Sequence, residues 1–248
     1  MRRPLQAARL RRRLSNDIAR TGGTPVSRGT FPMNFRTLPW MAGLLLLGAA
    51  APAADAPAPP RYANDFAKAA AGKLPDDEFL VLAGTFEVAE RGGERVLELS
   101  PYPLDAFGVL FGPAGHATGN VSARVWATTT GRRVPEFGVG SNDAGGYKLW
   151  LMPRRKLVAI RKADVTVATA PYDAWTPATW THVRLAVTKA GDAAWRVQGK
   201  AWPAGAAEPA TWTVSFDEPA EPPAGRASVW ANPYSGQPVR FDDLRVEE

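Results

Sequence analysis

Val121-Ser122-Ala123-Arg124-Val125-Trp126-Ala127-Thr128 alternates, residue by residue, between small apolar side chains and polar or aromatic ones. Side chains two apart in a strand share a face, so Val121, Ala123, Val125 and Ala127 form one apolar side. Ser122, Arg124, Trp126 and Thr128 form the other. A helix would scatter the four apolar residues around its circumference. The stretch is predicted to be a half-buried strand.

The same period recurs outward from it. Phe86 and Val88 flank Glu87, and Arg91-Gly92-Gly93-Glu94 turns the chain into Arg95 to Leu99. Phe107, Val109 and Phe111 share a face. Tyr147, Leu149 and Leu151 lead through Pro153-Arg154-Arg155-Lys156 into Leu157 to Arg161, a hairpin pattern. Val183, Leu185 and Val187 alternate with His182, Arg184 and Ala186. Trp195 to Trp202, Trp212 to Phe216, Ala227 to Ala231 and Val239 to Val246 complete the series. One short stretch, Asn64 to Lys73, reads as helical. Strands at close spacing, broken by 23 Gly and 23 Pro, describe a sandwich or barrel.

Charge divides the chain. Residues 1 to 54 hold nine of the 30 Lys+Arg but one of the 24 Asp+Glu, Asp17, so the rest is slightly acidic. That excludes a general electrostatic attraction to nucleic acid. Arg36, the apolar run Leu38 to Ala51 and the small residues Ala49 to Ala54 follow the order of a secretory signal, with cleavage expected between Ala50 and Ala53. The run is too short for a comfortable membrane span, and the mature chain is expected to have none. Met33 makes a normal start for such a signal, which leaves the preceding basic segment as an extension. Residues 54–61 read as an Ala/Pro linker and 62–248 as one folded domain. The expected location is extracytoplasmic, periplasmic or secreted. The absence of cysteine removes disulfides, thiolate metal sites and thiol nucleophiles.

Phe137-Gly138-Val139-Gly140, Gly146-Tyr147-Lys148-Leu149, Trp180-Thr181-His182-Val183-Arg184-Leu185, Gly199 to Pro203 and the ending Val239-Arg240-Phe241-Asp242-Asp243-Leu244-Arg245-Val246 occur in that order. In this order they resemble the concanavalin A-like lectin/glucanase superfamily, in particular bacterial laminin-G-like and 3-keto-disaccharide hydrolase-like domains. The resemblance covers most of Tyr62 to Glu248. It implies a jelly-roll β-sandwich of two antiparallel sheets and a carbohydrate partner, but no particular function.

The chemistry-bearing residues narrow the choice. The E-x-D-x-x-E strand of retaining glucanases is missing, so no catalytic residue is assigned. Glu87/Glu90 and Glu94/Glu98 flank a turn and read as solvated carboxylates. His116 and His182 are the only histidines, and no metal site is assigned. Asp242, Asp243 and Asn142-Asp143 offer oxygen ligands of the kind calcium takes, but a bulge or cap in the last strand is the preferred reading of Asp242-Asp243. No cofactor is expected.

A basic residue precedes a tryptophan by two on three predicted strands: Arg124/Trp126, Lys148/Trp150 and Lys200/Trp202. If those strands share a sheet, the pairs form a strip of flat rings and donors, which His182 and Arg184 extend. Sugars bind such surfaces through C–H stacking on indole and hydrogen bonds to cations. The competing reading places the indoles in the core with the cations at its edge. Trp175, Trp180, Trp195, Trp212 and Trp230 are expected to be packing residues. The leading expectation is a carbohydrate-binding module. A glycoside-cleaving enzyme and a structural envelope domain are the alternatives.

Overall fold

Alternation along the chain becomes two facing sheets in the computed structural model, which describes residues 59–101 and 105–248. Sixteen strands follow in order: β1 (Tyr62–Asn64), β2 (Gly72–Lys73), β3 (Phe79–Ala83), β4 (Phe86–Arg91), β5 (Glu94–Leu99), β6 (Phe107–His116), β7 (Gly119–Ala127) and β8 (Glu136–Ser141). The second half comprises β9 (Tyr147–Met152), β10 (Leu157–Lys162), β11 (Val165–Pro171), β12 (Thr179–Gly191), β13 (Ala194–Pro203), β14 (Val214–Glu218), β15 (Gly225–Asn232) and β16 (Val239–Glu247). The expected basic extension, the signal and its cleavage site, and most of the linker lie outside the described residues.

Sheet A runs β14-β13-β12-β7-β16-β5-β4-β2, with β1 also paired to β16, and sheet B runs β11-β10-β9-β8-β15-β6-β3. All pairings are antiparallel. The fold is a jelly-roll β-sandwich of two antiparallel sheets, as the resemblance implies. Val121, Val125, Val183 and Leu185 from sheet A meet Phe137, Val139, Leu149 and Val229 from sheet B in one core. Among the described residues no helix is long and apolar enough to cross a membrane.

The two hairpins form where the turn residues place them. Gly92 and Gly93 take φ 63° and 87° between β4 and β5, a left-handed pair that side chains disfavour. A 3-10 turn, Pro153–Arg155, joins β9 to β10 and ends on left-handed Lys156. The helix expected over Asn64 to Lys73 does not form. Asn64 belongs to β1, its side-chain oxygen accepts from the Phe66 N–H at 2.8 Å, and Phe66 turns left-handed at φ 55°. This Asx turn satisfies the backbone locally and stops helix propagation.

One edge of the sandwich is closed by a polar clasp. Glu218, at the end of β14 in sheet A, accepts from the Tyr147 hydroxyl and the Lys162 ammonium of sheet B, each at 2.7 Å. The Glu218 carboxylate is buried, and these partners hold it below the usual carboxylate range despite desolvation, which acts the other way. Glu218→Ala would leave the Tyr147 hydroxyl buried without an acceptor. We expect a loss of about 2 to 3 kcal/mol in urea unfolding, and a smaller loss for Tyr147→Phe. An unchanged midpoint in both variants would mean that the clasp does not hold the edge.

Candidate functional site

The register of sheet A fixes which side chains face outward together. His182 lies opposite Trp202 and Arg124, Arg184 opposite Lys200 and Ser122, and Trp126 opposite Trp180 and Arg240. Six of the eight residues singled out from sequence therefore share one surface: Arg124, Trp126, His182, Arg184, Lys200 and Trp202. The other two do not. Lys148 and Trp150 lie on β9 in sheet B, facing away from that core, so the three-strand strip is corrected to two of its pairs. There Lys148 sits over the Trp230 ring at 4.2 Å, while Trp150 packs with Met152, Ala159 and Trp230.

The indoles of the sheet A face are not bare. The Arg240 guanidinium lies 4.2 Å from the Trp126 ring centre and that of Arg124 lies 4.6 Å from Trp180. His182 stacks on Trp202 with centroids 5.1 Å apart and planes 16° from parallel. Lys200 reaches Trp212 at 4.6 Å. Cation–π attraction thus fixes the cations over the rings. Trp180 and Trp212 belong to this surface, against the expectation that both only pack. Trp180 precedes His182 by two residues on one strand, the same spacing that marked the other pairs.

Carboxylates bind the same cations from the other side. Arg124 reaches Asp242 at 2.5 Å, Asp243 at 3.0 Å and Glu94 at 3.3 Å. Arg184 lies 3.5 Å from both Glu208 and Glu247, and Lys200 lies 2.8 Å from Glu208. Arg240 and Arg91 share Glu98 at 2.9 and 2.6 Å. Glu98 is therefore buried and paired, held below the usual carboxylate range by those arginines against the opposing effect of desolvation. This corrects the solvated state expected for Glu98: two arginines from neighbouring strands cover it.

The preferred reading of Asp242-Asp243 holds. The ladder between β16 and β7 shifts register between Asp242 and Arg245, and Asp243 is left-handed at φ 50°. A bulge lets consecutive side chains turn to one side, so both carboxylates reach Arg124. The other oxygen-rich pair is committed elsewhere. The Asn142 amide donates to the carbonyls of Ala117 and Pro223, and Asp143 accepts from the Arg226 N–H. Among the described residues no group of three or more His, Asp or Glu is arranged to hold a metal ion.

Two hollows open side by side on this surface and share Asp243. The larger, about 580 Å³, is lined by Asp65, Glu90, Glu94, Arg95, Arg124 and Asp242. The smaller, about 240 Å³, is lined by Ser122, His182, Arg184, Trp202, Glu208 and Arg245. Burial holds His182 below the usual histidine range, so its imidazole is neutral at pH 7 and can both donate and accept. The arrangement is a polar groove on the outer face of the central strands of sheet A, edged by aromatic rings.

No family model matches the chain, and no curated protein matches it. Solved structures of similar shape include the carbohydrate-binding module CBM66 from Bacillus subtilis, 9% identical over 69% of this chain and 96% of that one, with a TM-score of 0.48. The carbohydrate recognition domain of Emp47p is 10% identical over 76% of this chain and 95% of its own, with a TM-score of 0.49. The GH43 protein BlXynB from Bacillus licheniformis is 13% identical over 75% of this chain and 39% of that one, at 0.47. Identities and scores this low transfer no ligand and no residue role.

Asp242 supplies a pH signature of the site. It is 1% exposed, and burial raises its carboxyl to about 6 although Arg124 and the Asp243 N–H pull the other way. Unfolding returns it to an ordinary 3.8, so between those values the native state binds more protons than the unfolded one. Stability should therefore fall as pH rises through that window. Urea unfolding at a series of pH values checks this. Asp242→Asn should flatten the slope, and an unchanged slope would reassign it to other groups.

Proposed function

We propose that this chain is an exported carbohydrate-binding module whose ligand lies in the groove on the outer face of sheet A. The observation that carries the reading is the smaller hollow. Arg184, Arg245, Glu208 and Asp243 surround it beside the stacked His182–Trp202 pair. A pyranose presents adjacent hydroxyls that donate and accept at once, together with apolar C–H faces. Forked guanidinium groups and carboxylates meet the hydroxyls in pairs, and ring edges line the apolar part. Arg184 lies 3.5 Å from both Glu208 and Glu247 while its buried Nε has no hydrogen-bond partner among the described residues, so a ligand hydroxyl would satisfy a donor left open. The signal-like pattern before residue 54 supports export, where glycans are accessible.

Carboxylates in the larger hollow favour a second reading, glycoside cleavage. Asp242 retains its proton to higher pH than an ordinary carboxyl, as a general acid must, and Glu94 shares its guanidinium partner. Asp242 is nonetheless covered and doubly hydrogen-bonded by Arg124 and the Asp243 N–H, an arrangement that serves holding better than proton delivery.

A glycan array probed with the purified chain, followed by calorimetry on the best ligand, tests the proposal. Arg184→Ala and Glu208→Gln should each weaken binding at least tenfold, about 1.4 kcal/mol, with little change in melting temperature because the glutamine still offers the buried Lys200 an acceptor. Lys148→Ala, on the other sheet, should leave affinity unchanged. Absence of binding to any glycan, or equal loss in all three variants, would overturn the assignment. Release of shorter sugars from a bound oligosaccharide would favour the cleavage reading instead.

A further inference from the structure

The two ends of the sandwich carry unequal charge. At one end the connections 92–93, 117–118, 142–146, 163–164, 192–193 and 219–224 contain no Lys or Arg, and they carry Asp143, Asp164, Asp192 and Glu221. Connections 128–135 and 153–156 lie at the other end and together hold Arg132, Arg133, Arg154, Arg155 and Lys156. The two are neighbours, because β8 begins where β9 ends, with Phe137 opposite Leu151. All five basic side chains are exposed, and among the described residues none is ion-paired with a carboxylate. The acids on connections at this end are Asp105, Asp173 and Glu208, and Glu208 is already engaged by Lys200 and Arg184.

Both basic turns have a fixed backbone. Thr130 and Arg133 exchange backbone hydrogen bonds at 3.1 and 3.0 Å around Gly131, which is left-handed at φ 58°. Left-handed Lys156 closes the other turn by donating its N–H to the Pro153 carbonyl. Next along sheet B, Asn232 lies opposite Glu136, so the loop that follows β15 adjoins the start of β8. That loop presents Tyr234, whose ring is 39% exposed. An exposed phenol beside unpaired cations suits the headgroup level of a bilayer, where a tyrosine ring settles against the acyl boundary and cations lie among phosphates.

We infer that this end of sheet B docks on a bilayer bearing anionic phospholipid headgroups. Charge complementarity selects the partner, and shape narrows it. The cations stand on the tips of two separate turns, which meet a plane more readily than they enclose a small anion. Headgroups move laterally and can match both turns at once, whereas the acids of a folded partner are fixed in place. Four of the five cations are arginines, whose forked donors take phosphate oxygens in pairs. The acidic turns at the opposite end then point away from the surface, so the field of the membrane orients the molecule. Because the chain beyond residue 54 is slightly acidic as a whole, the attraction is local, reaching about 10 Å at moderate salt. Docking of this kind is peripheral and reversible.

The inference is independent of the glycan groove, which lies on the face of sheet A. Every described strand and the whole described core fall within Asp55–Glu248, a compact unit by itself. This segment is therefore tested without residues 1 to 54, whose nine arginines would bind anions on their own. It should co-sediment with phosphatidylcholine vesicles that contain phosphatidylglycerol, stay free of pure phosphatidylcholine vesicles, and detach as salt is raised. The pair Arg132→Glu and Arg133→Glu, and separately Arg154→Glu and Arg155→Glu, should each weaken binding at least tenfold with melting unchanged, since these side chains are already in water. Tyr234→Ser should weaken it less, and Asp192→Lys with Glu221→Lys, at the far end, should not weaken it. Equal binding to both kinds of vesicle, or charge reversals without effect, would overturn the proposal. So would tighter binding to soluble dextran sulfate than to the vesicles with Tyr234→Ser silent, which points to a polymer, or oligomers dissolved by Arg155→Glu and Asp192→Lys alike, which point to head-to-tail contact between copies. If one arginine pair fails to fold when reversed, the other decides.

Discussion

The space between the two sheets accepts one face of each strand, and that restriction decides what the remaining residues are free to do. Along Val121–Ala127 of β7 and Val183–Val187 of β12 every second side chain is aliphatic and buried, so Ser122, Arg124 and Trp126 and, on β12, His182 and Arg184 are placed outward in register with their neighbours on adjacent strands. Burying this much apolar surface is the dominant favourable contribution to such a fold. The outward residues inherit their geometry from it. Arg124, His182 and Trp202 stand in a row because Ala123, Val183 and Ala201 are anchored below.

Outward residues on sheet A solve an electrostatic problem of their own. Asp242 is almost dry, and an unpaired ion there would be costly. Arg124 answers it with a short ion pair while lying over Trp180, so one guanidinium serves both a carboxylate and a ring. Glu98 with Arg91 and Arg240, and Glu208 with Lys200 and Arg184, repeat the device along the sheet. The outer face of sheet B is built differently. The Trp230 indole lies against Gly108, where an added Cβ would come within 2.5 Å of the ring, and its N–H donates to Ser228. One face is a charged lattice and the other a packed aromatic layer.

How much of this could be read beforehand follows from the range of each interaction. Strand alternation and the glycine and proline turns are local, and β4, β5, β7, β9, β10, β12 and β13 all answered to them. Sheet membership is not local. Lys148/Trp150 has the same spacing as Arg124/Trp126, yet β9 pairs with β8 and β10 on the other layer. The bulge at Asp242-Asp243 was legible from two consecutive acids in a strand. Their partner was not, because Arg124 lies 118 positions earlier. The helix expected over Asn64 to Lys73 failed for a local reason, the Asn64 side chain bonding the Phe66 N–H, which composition alone does not announce.

The position of β16 bears on how the molecule is assembled. This final strand lies inside sheet A, between β7 and β5, and also holds β1 at its far end. Until residues 239 to 247 emerge, β4 and β5 have no neighbour through which to join the rest of the layer. Contacts that link both ends of a sequence close the largest loops and come late and slowly in folding. Sheet A therefore stays in two pieces until residues 239 to 247 are in place between them.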